Sequence, residues 1–289
     1  MAEFRRIFKK TMILVTGANG QLGQCLRAIL TDKQAIFRGR ELDITNISAL
    51  QDFVEKNSIT SIINAAAYTA VDKAEQEIEI AYQVNSEGAH NLALISQQFT
   101  IPLIHISTDY VFDGTNHIPY TEDDNTNPLS IYGKSKLEGE KAIIELAHSA
   151  YIIRTSWLYS PYGNNFVKSI TRLAQERDIL NIVSDQIGSP TYAPDLAKAI
   201  LKLLPKLPSG TKQLLHYSNQ GVASWYDFAY EIVNLQHIEC QIVPIPTTDY
   251  PTPAQRPYYS VLDKRRITTI VNSPIPHWKH SLQRYLESQ

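Results

Sequence analysis

Short apolar runs alternate with helix-spaced apolar positions through the front half of the chain. Met12 to Thr16 is an apolar run ending in a glycine-rich turn, and Leu22, Leu26, Ile29 and Leu30 follow at helical spacing. The same pattern predicts strands at 35–37, 61–64, 102–106 and 151–154. Between them it predicts a helix carrying Ile47, Leu50, Phe53 and Val54 with Asn46 as cap, a long helical stretch from about Asp72 to Phe99, and a helix from Tyr132 to Ala147. Strands that alternate with helices need crossover connections, which are right-handed. The expected fold class is therefore α/β, a doubly wound parallel sheet of the Rossmann kind.

The pattern changes beyond about residue 160. Eleven of the 15 prolines lie at or after Pro190, whereas nine of the 12 glycines lie at or before Gly163. Stretches such as 244–246 and 250–257 cannot lie in a central sheet, because proline donates no ladder hydrogen bond. Helical spacing returns at 196–204, 225–235 and 278–286. The expected organisation is a sheet domain over 12–160 and a smaller, loop-rich substrate-binding lobe over 161–289, interleaved with it. Residues 1–11, with four basic and three large apolar side chains, read as a flexible extension. They hold no apolar core long enough for a secretory leader.

Composition narrows the function. Of 289 residues, 43% are hydrophobic and 19% charged, an ordinary globular balance, and the net charge of -2 speaks against bulk affinity for nucleic acid or an anionic membrane. Cys25 and Cys240 cannot make a disulfide framework, and no CxxC or HExxH spacing suggests a metal. Apolar stretches such as 62–67 are far shorter than a membrane span. A cytoplasmic, soluble enzyme is the expectation.

Three groups of residues carry chemistry. Gly17, Asn19, Gly20, Gln21, Leu22 and Gly23 follow the first strand and open the first helix, where glycines admit a phosphate close to the backbone. The spacing is GxxGxxG, and a tight strand-to-helix turn without a ligand would look similar. At the second strand's end stand Arg38, Gly39 and Arg40 before the first acid, Glu41. An arginine there suits a 2′-phosphate, which favours NADPH; Glu41 or Asp43 would admit NADH, and two solvated arginines would mean neither. Third, Tyr132 and Lys136 stand four apart on a helix, so they share a face, and the lysine charge is expected to lower the tyrosine pKa. Thr108, at the end of the fourth strand, converges on them in a parallel sheet. His90 and His105 read as packing residues.

Together with Asn64 at the end of the third strand, these residues resemble the extended short-chain dehydrogenase/reductases. The stretches TGANGQLG (16–23), ELDIT (41–45), NAAAYTAVDKAE (64–75), STDYVFDG (107–114), RTSWLY (154–159), DQIGSPTYAPDLA (185–197) and RPYYSVLD (256–263) are similar to the dTDP-4-dehydrorhamnose reductase family. The resemblance runs from Met12 nearly to the end of the chain. It implies reduction of the C4 ketone of dTDP-4-dehydro-L-rhamnose to dTDP-L-rhamnose, the last step of dTDP-rhamnose synthesis, with NADPH or NADH. It implies Tyr132 as proton donor, Lys136 on the nicotinamide ribose and Thr108 on the carbonyl oxygen. It points Asp43 and Ile44 at the adenine, and Ala65, Ala66 and Tyr68 at the diphosphate and ribose. Asp109, Tyr110, Trp157, Asn165 and Arg256 are the implied substrate contacts.

Some members of that family bind magnesium at a dimer interface through glutamates. Here two of those positions align with Cys25 and Pro194, neither of them a hard oxygen ligand, so no metal and a monomer or weak homodimer are expected. A dehydratase would need a glutamate after Asp109, where Tyr110 stands. An epimerase on the same fold, and a non-catalytic subunit resembling the methionine adenosyltransferase β subunit, are the other readings.

Overall fold

The computed structural model describes residues 11–289. The extension expected over 1–11 therefore lies, apart from Thr11, outside the described residues. Six parallel strands form the central sheet: β1 (Ile13–Thr16), β2 (Ala35–Arg38), β3 (Ser61–Asn64), β4 (Pro102–Thr108), β5 (Ser149–Thr155) and β6 (Lys212–Tyr217). Their order is β6-β5-β4-β3-β1-β2. β1, β3 and β5 have no exposed residue, as strands covered on both faces require.

The main helices are α1 (Gln21–Arg27), α2 (Ile47–Lys56), α3 (Gly88–Phe99), α4 (Ile131–Leu146), α5 (Phe166–Glu176), α6 (Ala193–Leu203), α7 (Trp225–Leu235), α8 (Arg265–Val271) and α9 (Trp278–Leu286). Leu50, Leu92, Ile95 and Ile143 of α2, α3 and α4 pack on one face of the sheet. Leu22, Leu26, Leu196 and Ile200 of α1 and α6, with Ile267 of α8, pack on the other. Each such side chain contributes about 1.5–3 kcal/mol by leaving water. A third core, around Tyr159, Phe228, Trp278 and Tyr285, joins α5, α7 and α9 into a second lobe. There Ile179–Val183 pairs with Gln241–Ile245, a two-stranded ribbon whose edges tolerate Pro244.

The sequence pattern misses two features. The helix expected from Asp72 to Phe99 is broken into Val71–Ala74, Ile78–Tyr82, a π-helical turn at Gln83–Glu87, and α3. The turn places Asn85 where its amide bonds the backbone of Tyr68 through both ends (2.9 and 3.1 Å) and the hydroxyl of Ser135 (3.0 Å). Gly139 of α4 faces it so closely that a Cβ there would stand 2.2 Å from the Asn85 carbonyl oxygen. The other feature is β6, drawn from beyond the expected boundary near residue 160.

This strand order has a positional consequence. The chain leaves β1 toward β2 and then crosses back to β3 on the other side of β1. A crevice opens outside the carboxyl ends of β1 and β3, which is where ligands bind in open α/β sheets.

Candidate active site

Loops from β1, β3 and β4 meet at that crevice. Gly17 has φ +65°, and a Cβ on it would lie 2.4 Å from the Ala65 carbonyl carbon and the Ala66 nitrogen. Only glycine permits both the backbone angle and the contact. Gly20 precedes α1 without a side-chain cap, so the opening amides of the helix are not spent on a neighbouring side chain. The Ala18 amide donates to the Arg38 carbonyl (3.0 Å), and the Ala66 amide to Asn64 Oδ1 (3.0 Å). The result is a floor of bare backbone suited to a dinucleotide diphosphate.

Other residues of the expected cofactor set have mixed placements. Asn19 is exposed beside Gly39, whereas Leu22, 4% exposed, points into the core and has only its backbone available. Gln21 ties the loop to the second lobe, donating to the Leu158 carbonyl and accepting from Ser160 and Asn165. Arg38 sits over the Phe53 ring, 5.0 Å from its centre, and donates to the Phe37 carbonyl. Glu41 takes the Gly39 amide at 2.7 Å, a bond that holds its carboxyl below the ordinary range. Asp43 is occupied by the amide and hydroxyl of Thr45, and Ile44 is buried against Gly88. The Tyr68 hydroxyl donates to Glu77, which raises its pKa.

The reacting groups sit on α4 and the end of β4. Ser130 caps α4 by accepting from the Gly133 amide (3.2 Å), and Glu75 takes the Ile131 amide (2.8 Å). These contacts fix the first turn, where Tyr132 lies, and set Lys136 one turn on. The Tyr132 hydroxyl lies close to Thr108 at the end of β4. Thr108 in turn donates to Asp109 (3.1 Å) and accepts from the Tyr110 amide (3.2 Å). The Tyr110 ring stands edge-on to Tyr132, with centroids 5.7 Å apart. Lys136 is buried, with Nζ donating to the Ile106 carbonyl at 2.6 Å and lying 3.3 Å from His105 Nε2.

The electrostatics correct one expectation. Tyr132 is not lowered by its lysine; burial pushes it up to about 12, against the smaller lowering from Thr108. Lys136 itself is brought down to about 8, because burial outweighs the nearby Glu140 carboxylate. Burial also raises Asp109 to about 6, although Thr108 donates to one of its carboxyl oxygens.

Beneath Lys136 lies a buried ion pair that sequence reading misses. Arg154 of β5 grips Glu140 through Nε (3.0 Å) and a terminal nitrogen (2.6 Å), and Ser107 donates to the same carboxylate. The available signal is Glu140 itself, one turn beyond Lys136 on a buried helix face, where a carboxylate needs a partner. Gly139 is the corresponding signal for Asn85, since glycine inside a helix marks close packing.

The implied substrate residues divide. Asp109 and Tyr110 join Thr108 and Tyr132. Arg256, near Tyr110, is engaged with Asp72 (2.8 Å), Thr252 and the Ala254 carbonyl. Trp157, at φ +49°, stacks on Trp225 with ring centres 3.6 Å apart. Asn165 caps α5 by accepting from the Lys168 amide and donates to the Ser160 carbonyl (2.8 Å). Cys25 is buried in α1 and Pro194 lies in the first turn of α6. Among the described residues no cluster of three or more His, Cys, Asp or Glu side chains could hold a metal ion. No helix among them is long and apolar enough to cross a membrane.

A family model described as the RmlD substrate binding domain matches residues 11–289. The chain belongs to the dTDP-4-dehydrorhamnose reductase family. It is 40% identical over 284 residues to a dTDP-4-dehydrorhamnose reductase of Aggregatibacter actinomycetemcomitans, covering 94% of this chain and 97% of that one. A Streptomyces niveus relative, 37% identical over 93% of this chain and 94% of its own, is named dTDP-4-keto-6-deoxy-D-glucose reductase. The Bacillus anthracis dTDP-4-dehydrorhamnose reductase, solved with NADP, is 40% identical, with a TM-score of 0.92 over 97% of this chain and 100% of that one. Membership in this family makes the chain an oxidoreductase.

Proposed function

We propose that the protein reduces the C4 ketone of dTDP-4-dehydro-L-rhamnose to dTDP-L-rhamnose, with Tyr132 as proton donor. The observation that carries this reading is Tyr132 and Lys136 one turn apart on α4, with Thr108 close to Tyr132 and the glycine floor at Gly17 in the same crevice. The floor, which a single Cβ would fill, fits a dinucleotide. A nicotinamide held there would supply the hydride to C4. Tyr132 and Thr108 hold the C4 oxygen between two hydroxyls, and Tyr132 gives it a proton as negative charge develops. A half-buried tyrosine held up at about 12 stays protonated until an alkoxide, a stronger base, forms beside it. Lys136 holds the nicotinamide ribose.

NADPH is the proposed cofactor, supported by Arg38 and the exposed Arg40 at the end of β2, with NADH as the alternative. Arg256 is proposed to leave Asp72 for the substrate diphosphate, and Asp109 and Tyr110 to line the sugar. Trp157 is proposed to pack on the sugar or base, and Asn165 to reach the nucleotide through an exchanged hydrogen bond. The buried Cys25 supports a monomer or weak homodimer without a shared metal, and the biosynthetic role suits the cytoplasm.

Loss of NADPH absorbance on adding the nucleotide-sugar tests the reading, with dTDP-4-keto-6-deoxy-D-glucose as a second substrate arm and NADH as a second cofactor. Turnover that falls by about 10²–10⁴-fold in Tyr132→Phe, with NADPH affinity little changed, is the expected outcome. Binding of NADPH without consumption on either sugar would overturn it.

A further inference from the structure

Backbone hydrogen bonding decides the protonation pattern of a chain of side chains that ends at Lys136. The Ala66 amide can only donate, and it donates to one end of the Asn64 amide at 3.0 Å; that end is therefore the oxygen. The Thr16 hydroxyl bonds the same oxygen at 2.6 Å. The other end, the NH2 group, lies 2.8 Å from His105 Nδ1 and makes that ring nitrogen an acceptor. His105 is 1% exposed, and burial alone holds it neutral, well below its ordinary pKa. A neutral imidazole that accepts at Nδ1 carries its proton on Nε2.

That Nε2–H stands 3.3 Å from Lys136 Nζ. Against an ammonium, two donors would face each other; against an amine, the imidazole donates to the nitrogen lone pair. The Ile106 carbonyl at 2.6 Å accepts from either form and does not discriminate. Other charged or titratable groups around Lys136 are Tyr132 on the preceding turn of α4, Glu140 on the next, and Arg154 from β5. Glu140 favours the ammonium, but Arg154 already neutralises it through three hydrogen bonds.

We propose that His105, locked as the Nε2–H tautomer by Asn64, is a positioning residue that favours the neutral amine of Lys136 over the ammonium. Lys136 is then a group that titrates in the working pH range rather than a fixed cation. The inference deepens the reductase reading and rests on it for its use. In that reading Lys136 meets the nicotinamide ribose, where an amine can accept a hydrogen bond and an ammonium can only donate.

The test is nuclear magnetic resonance on the full chain without substrate. In the wild type, the ¹⁵N spectrum of the His105 imidazole, assigned by its loss in His105→Gln, is expected to show an unprotonated Nδ1 and a protonated Nε2 from about pH 6 to about pH 9. The ¹³Cε signal of Lys136 gives its titration midpoint. Removing the facing donor in His105→Phe is expected to raise that midpoint by about one pH unit. Asn64→Asp, which offers His105 only acceptors, is expected to move the proton to Nδ1 and raise the midpoint as well. A protonated Nδ1 in the wild type, or a midpoint unmoved in His105→Phe, would overturn the proposal. If the variants do not fold, the wild-type imidazole is assigned instead by its proximity to the Asn64 side-chain amide, and a protonated Nδ1 there overturns the proposal. Absence of turnover on the nucleotide-sugars counts against the reductase reading and leaves these spectra untouched.

Discussion

A methyl group added at Gly17 would meet the Ala65–Ala66 peptide at 2.4 Å and would also force a side chain onto a φ of +65°. Neither neighbour is a flexible side chain that can step aside. Gly17→Ala is therefore expected to cost about 1–3 kcal/mol of stability from backbone strain alone. Because the loop must shift to accept the methyl, NADPH affinity should fall at least about tenfold, as fluorescence titration would show. This residue is legible in the sequence because a glycine between strand and helix has few other reasons to be there. Tyr132 and Lys136 are legible for a similar reason, their spacing on one helix face. His105 is legible only as a buried ring: its bond to Lys136 joins two elements, and no periodicity along one segment reports it.

Elements show where local pattern yields to tertiary demand. Every apolar position from Leu92 to Ile95 fits a helix, yet upstream the chain opens into a π turn because Asn85 bonds Tyr68 and Ser135, neighbours from other elements. In α5 the conflict is of another kind, since Asn165 is both the helix cap and a proposed substrate contact. Asn165→Ala is expected to cost about 1 kcal/mol through the lost cap, read from urea unfolding. Asn165→Asp keeps a capping oxygen but loses the donor to Ser160 and Gln21. If the amide also serves the nucleotide-sugar, Asp should retain the cap and still raise KM, whereas a purely structural Asn165 would leave KM where it was.

At the scale of the molecule, β6 is the strand that sequence periodicity does not show. Its six residues, Lys212 to Tyr217, neither alternate nor form an apolar run, and it holds a buried histidine. His216 bonds the Tyr120 carbonyl, far away in sequence, through Nδ1 alone, and burial beside Arg154 drives its pKa down to about 3. The unfolded chain takes up a proton on this histidine near its ordinary 6.5 and the native protein does not, so stability is present above that pH and is lost as pH falls toward about 3. Asp109 acts oppositely: its raised pKa gives stability below the ordinary 3.8 that is lost as pH rises through about 6. The histidine shift is the larger, so urea midpoints should fall between about pH 7 and about pH 5. His216→Gln should flatten that fall and Asp109→Asn should steepen it.

The stacked indoles of Trp157 and Trp225 have an optical consequence. Two rings 3.6 Å apart and nearly parallel share their excited states, so they absorb polarised light as one chiral chromophore. The third tryptophan, Trp278, stacks instead beside His277 and has no such partner. Circular dichroism should therefore contain a signed couplet that belongs to the second lobe alone and vanishes in Trp225→Phe. A nucleotide-sugar that slides against Trp157 would detune the pair, and the couplet would change with occupancy while the helical signal stayed constant. The protein would thus carry a built-in gauge of its own sugar pocket, readable without label or turnover.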